Sequence, residues 1–217
     1  MLIAGAAAAA LLATPALGRC VALATARHPD PRLLAAVALA SALLIVRCAE
    51  GPLHGVSLTL VAVAGIVAGW TDAYECRLPD VLVLPAYPAT GFLLLGTADA
   101  ETVLRAAACA TAGAALYLCG HVLGQVGFGD VKLAGLLGLV LGWASWQAAL
   151  AALLATILIG GAQAIGVLLS RRGEFPLGPA MLVGSATGLV ITNMGIIHLL
   201  RLDKINAVTL GKSHEIR

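Results

Sequence analysis

The chain has 217 residues, of which 60% are hydrophobic and 11% charged, and its formal net charge is +2. Soluble domains carry about a quarter charged residues, so a water-soluble fold is excluded for want of polar surface, and so small a net charge gives no footing for a nucleic-acid partner. What remains is an integral membrane protein, with a mean hydropathy of +0.99. Runs such as Gly55–Trp70 show no alternating polar face, so the spans are read as helices rather than barrel strands.

The first apolar run, Leu2–Thr25, has the look of a signal peptide. It lacks a basic leading segment and meets Pro15 without an A-x-A site, so it is read as a retained span. Leu33–Val46 and Gly55–Trp70 follow, both shorter than the roughly 20 residues of a full crossing. Next come Val81–Gly96 and Val103–Leu123. Val131–Trp143 is short and carries Gly135, Gly138 and Gly142. It either stands alone or fuses with Trp146–Leu169. Leu177–Leu200 closes the series. The expectation is an all-α, polytopic transmembrane bundle of about eight spans. Residues 1–54 form two amino-terminal helices of unassigned role, 55–200 a six-helix core, and 201–217 a short polar tail. Glycines such as Gly113, Gly160, Gly184 and Gly188 suit close helix approach. Cys20, Cys48, Cys76, Cys109 and Cys119 form no CxxC pair. They read as small apolar residues buried in helix packing, and no metal or other cofactor is expected.

Orientation follows from lysine and arginine in the short loops. Odd-numbered loops hold Arg27, Arg32, Arg77, Lys132, Arg171 and Arg172, and are placed in the cytoplasm. Even-numbered loops hold only Arg47 and Arg105. The basic tail (Arg201, Lys204, Lys212, Arg217) opposes that rule.

Two odd loops carry the chemistry. GWTDAYECRLPD, Gly69–Asp80, holds Asp72 where the third span ends, then Glu75, Pro79 and Asp80. QVGFGDVKL holds Gly127, Gly129, Asp130 and Lys132. The two glycines permit a tight turn and close approach. Asp130 stands at a helix start, where free N–H groups favour a carboxylate. Taken singly, Asp130 and Asp80 read as helix caps, and Glu75 as solvated. Asp72 and Asp130 together are a different matter. They lie 58 positions apart yet fall at one membrane face, and ionisable groups near membrane depth are functional candidates. Two facing carboxylates share a proton and titrate as a pair. Such a pair activates water for peptide hydrolysis. The Gly-rich turn is expected to line an open, wet pocket, with Glu75 and Asp80 placed to attract a basic segment. Lys132 either biases the pair, meets the substrate or snorkels. His121 is a secondary candidate neighbour.

These elements resemble those of the type IV prepilin peptidases and the related preflagellin peptidases, the GxGD-type membrane aspartic proteases. Asp72 is followed seven positions later by Pro79 of a Leu-Pro-Asp, then by Gly127-Phe128-Gly129-Asp130-Val131-Lys132. Within EFPLGPAM, Pro176, Gly178 and Pro179 match a third family segment, with Leu177 in place of Phe. The resemblance covers roughly Gly55–Leu200 and implies a cytoplasmic-membrane aspartic endopeptidase. Asp72 and Asp130 would be its catalytic pair, cutting the leader from prepilins or pilin-like subunits at the cytoplasmic face. Without CxxC pairs or room for the larger members' cytoplasmic segment, cleavage without N-methylation is expected. Competing readings are a proton- or cation-coupled transporter and a non-catalytic secretion-system component. The oligomeric state is left open.

Overall fold

The computed structural model describes residues 2–96, 99–169 and 176–195. Its helices are α1 (Leu2–Thr25), α2 (Pro31–Cys48), α3 (Pro52–Glu75), α4 (Asp80–Leu95), α5 (Ala100–Val122), α6 (Phe128–Ala144) and α7 (Trp146–Leu169), with α8 over residues 178–195. Among the described residues, α1, α2, α3, α5 and α7 are long and apolar enough to cross a membrane. The chain is an all-helical, multi-pass membrane bundle. The 16 residues of α4 and the 17 of α6 reach about 25 Å at roughly 1.5 Å per residue. The region between α7 and α8, with Arg171 and Arg172, and the basic tail lie outside the described residues.

Local sequence sets the boundaries. Asp30 caps α2 through a bond from the Arg32 N–H to its carboxylate, followed by Pro31 at the first helical position. Asp99 caps α5 by accepting from the Thr102 N–H. Cys76 ends α3 in the left-handed region at φ 50°. Ser145 takes an extended conformation and divides α6 from α7, so these two helices do not fuse. The third helix runs on to Glu75 rather than stopping at Trp70, which carries Asp72 inside its last turn.

α6 is the central helix. Leu133, Leu136, Val140 and Leu141 are all buried in the main core with Val83, Met181 and Leu189. α5 crosses α6 at backbone contact. A Cβ on Gly138 would stand 2.5 Å from the Cys109 carbonyl oxygen, and one on Gly142 would stand 2.9 Å from Ala106 Cα. These obstacles are main chain, so neither helix can yield locally. Gly138→Ala is therefore expected to lower stability by about 1–3 kcal/mol. Gly91→Ala, which meets nothing within 4 Å, should not. Thermal unfolding of the two variants in detergent checks this.

At the far end of α6, Arg105 donates from Nε to the Gly142 carbonyl at 2.8 Å and from its terminal nitrogen to the Trp143 carbonyl at 3.0 Å. It satisfies helix-end carbonyls that would otherwise lack partners. α8 lies between α3 and α7. Gly65 and Gly69 accommodate Leu182, and Gly184 and Gly188 accommodate Thr156, Ala148 and Ala152. α1 and α2 share a second core with α3, built from Leu17, Val21, Leu34, Ala38, Ile66 and Val67.

The cysteines divide. Cys48 and Cys109 are buried as expected, whereas Cys20, Cys76 and Cys119 are exposed. Cys20 and Cys119 lie on the outer faces of α1 and α5, where a small polarisable side chain needs no protein cover, and Cys76 lies in the turn after α3.

Candidate active site

Three chain turns meet at one end of the bundle. In the α1–α2 turn, Arg27 lies 5.6 Å from the centroid of the Tyr74 ring on α3. In the α3–α4 turn, Leu78 presses on the GxGD turn. A Cβ on Gly129 would come within 2.7 Å of Leu78 Cβ, which is the close approach that requires glycine there. Pro79 is the N-cap residue of α4, with φ −73°, and fixes the path of Leu78. The α5–α6 turn folds back on α5. The Gln125 N–H donates to the Gly120 carbonyl at 3.0 Å, and Gly124 takes φ 72°.

Asp72 and Asp130 both lie at this end, on separate helices, and both are buried at 5% and 8% exposure. They are close enough for the charge of Asp72 to act on Asp130. Asp72 Oδ2 accepts the Gly178 N–H at 2.8 Å. Gly178 opens α8, and its N–H is one of the donors a helix start leaves unpaired. Asp130 is not the cap of α6. Gly127 takes that place with no side-chain bond. Asp130 stands three residues on, with its carboxylate turned back on the Gly127 N–H, as the third residue does in a capping box. Its Oδ1 is buried and makes no hydrogen bond among the described residues.

The expected open pocket is not what surrounds the pair. Both carboxylates are buried, and Gly178 seats directly on Asp72. The remaining candidates divide. Asp80 does not cap α4. Its carboxylate reaches Lys132 Nζ, with both oxygens at 2.7 Å, so α4 is tied to α6. Lys132 also lies 4.8 Å from the Phe128 ring centroid. This ion pair is half open, with Asp80 54% exposed, and exposed pairs contribute about 0.2–1 kcal/mol. Asp80→Asn is expected to cost no more than that, and less at high salt. Denaturant unfolding at two salt concentrations checks it. Glu75 is exposed at the last residue of α3, whereas both members of the pair are buried. His121 Nδ1 pairs with the Val126 carbonyl at 2.8 Å, so it holds the turn rather than a carboxylate.

The role of one contributor, and the whole of another, escaped the sequence reading. Gly178 was legible only as part of a Pro-Leu-Gly-Pro string, and its amide's role needed three-dimensional proximity. Tyr117 gave no signal at all. It packs against the core beside Asp130, close enough to feel its charge. Glu174 and Phe175 lie outside the described residues. No group of three or more His, Cys, Asp or Glu side chains suited to a metal occurs among the described residues.

The fold is thus a multi-pass membrane helix bundle with two buried carboxylates, Asp72 and Asp130, near one end. The family model for the type IV leader peptidases matches residues 58–165, a stretch that holds both aspartates, and the chain belongs to that family. It is 31% identical over 181 residues to a prepilin leader peptidase/N-methyltransferase of Aeromonas hydrophila. The match covers 79% of this chain and 60% of that protein, so the chain spans about three fifths of the relative's length. No solved structure matches.

Proposed function

We propose that the protein is an aspartic endopeptidase that removes the leader from prepilins or pilin-like subunits at the cytoplasmic membrane face. The observation that carries this reading is the approach of Asp72 and Asp130. Two carboxylates from distant parts of the chain are buried together where the membrane helices end. Two charges are not brought together out of water for packing alone, since their desolvation and mutual repulsion both oppose it.

In this mechanism a water molecule lies between the carboxyl groups. The ionised one takes its proton as the water attacks the scissile carbonyl. The protonated one donates a hydrogen bond to that carbonyl, and the tetrahedral intermediate then breaks as the departing amine gains a proton. Asp130 Oδ1, without a partner among the described residues, is the oxygen available to water or substrate. Asp72 is oriented by the Gly178 N–H. Both carboxylates are buried, so substrate entry requires a local opening of the bundle beside them.

The substrate suits the position. Its apolar helix stays in the bilayer, and its charged leader reaches the end of the bundle where the pair lies. The new amino terminus is proposed to leave unmethylated, in keeping with cysteines that nowhere form a CxxC pair. The test is direct: purified protein and a prepilin in detergent, with leader loss read by mass spectrometry, with and without S-adenosylmethionine. Leader loss with no further mass gain is expected. An intact prepilin would refute the assignment.

A further inference from the structure

α6 is held on most sides. The Tyr87 hydroxyl of α4 donates to the Lys132 carbonyl at 2.6 Å. α5 lies in backbone contact along Gly138 and Gly142. His54 of α3 stacks on Trp143 with ring centroids 4.9 Å apart. Between α5 and α7 the cover is thin. A cavity of about 260 Å³ lies there, walled by Ala112 and Leu116 of α5 and Ala149 and Leu153 of α7, and floored by Ala134 and Leu137 of α6. Ala112 and Leu116 are exposed, so the cavity opens sideways, toward the acyl chains.

The helix register says where this groove leads. Gly113 meets Ala134, and Gly138 meets Cys109, so α5 and α6 run antiparallel. One turn beyond Gly113 places Tyr117 opposite Asp130. Tyr117 also lines the cavity. One end of the groove is therefore Tyr117, the neighbour of Asp130, and from there the groove runs along the open flank of α6.

We propose that this groove receives the apolar transmembrane helix of the substrate, the segment that follows the scissile bond. The inference rests on the leader-peptidase reading. A chain whose peptide bond is presented to Asp130, and whose next residues must stay in lipid, has this flank of α6 as its path. Small residues at Ala112, Gly113 and Ala149 let a helix backbone come close. An apolar hole of about 150 Å³ accepts a benzene-sized group, so this one takes an aromatic or two branched aliphatic side chains. From Tyr117 to Cys109 the groove extends about 12 Å at roughly 1.5 Å per residue. The side chains it reads lie within the first two or three helical turns after the cut. An acyl chain also fills apolar space, but the approach of the groove's Tyr117 end to Asp130 gives a peptide, not a lipid, a reason to enter.

The experiment uses full-length protein and a prepilin in proteoliposomes. Ala112→Trp and Ala149→Trp fill the groove from its two walls, and Leu154→Trp places the same bulk on the exposed face of α7. Both groove variants are expected to raise KM at least tenfold with kcat within twofold, and Leu154→Trp to leave both unchanged. A benzophenone amino acid at position 112, in an Asp130→Asn background, is expected to cross-link the substrate's apolar segment. Groove variants that match Leu154→Trp, or a cross-link to lipid alone, would overturn the proposal. Absence of cleavage by the unmodified protein would instead overturn the leader-peptidase reading, so the two failures are distinguishable.

Discussion

Asp72→Asn and Asp130→Asn are each expected to reduce leader cleavage by about a thousandfold or more, with the double variant no worse than either single one. General acid–base groups contribute about 10²–10⁴-fold, and residues that act as a unit lose their joint effect when any one is removed. Each substitution is nearly isosteric. Asn at position 72 keeps an oxygen to accept the Gly178 N–H, now 2.8 Å from Asp72 Oδ2. Both sites are buried, at 5% and 8% exposure, so removing a charge there relieves a desolvation cost rather than adding one. Insertion and thermal stability in detergent should therefore match the unmodified protein. The loss of activity then reads as chemistry, not unfolding. The pH–rate profile of the unmodified enzyme should show two apparent steps that belong to the pair and not to either residue. Full cleavage by either variant would remove that aspartate from the mechanism.

The helices were legible because hydropathy in lipid is a coarse and strong signal. The runs Leu2–Thr25 and Trp146–Leu169 coincide with α1 and α7 to the residue. The short runs fared worse at their ends. α3 reaches Glu75 because Thr71 and Asp72 stay in the helix despite their polarity, with the Thr71 hydroxyl bonding back to the Val67 carbonyl at 2.9 Å. Hydropathy stops at the first polar residue, whereas the backbone ladder does not. Asp80 and Lys132 show the same limit in another form. Each has an ordinary local explanation, a cap and a snorkelling amine, and their partnership across 52 positions has no mark in either neighbourhood. The approach of Asp72 to Asp130 was inferred from a shared membrane face. The donor that orients Asp72 came from a third helix, which no pairing of two loops contains.

That donor sets the second large expected effect. Gly178→Ala lowers kcat about a hundredfold with little change in KM. A Cβ at this position would stand 2.9 Å from Asp72 Oδ2 and 3.3 Å from both its Cβ and Cγ, so the carboxyl group has to swing away. It then leaves the N–H that holds it, and a misplacement on the order of 1 Å at a reacting group costs about 10² in rate. The position is constrained twice over, because Gly178 is helical and precedes Pro179. A side chain before proline clashes in the helical conformation. The added methyl also strains the α3–α8 contact, at a cost of about 1–3 kcal/mol, so stability must be followed alongside rate. Gly161→Ala is the companion measurement. Nothing lies within 4 Å of a Cβ there, and replacing a mid-helix glycine should stabilise by about 0.5–1 kcal/mol with activity unchanged. A folded Gly178→Ala protein that keeps full kcat would show that α8 does not position Asp72 for catalysis. A kcat loss that Gly178→Ser shares, while both variants keep their substrate KM, would place the effect at the carboxylate and not at the path the substrate takes to it.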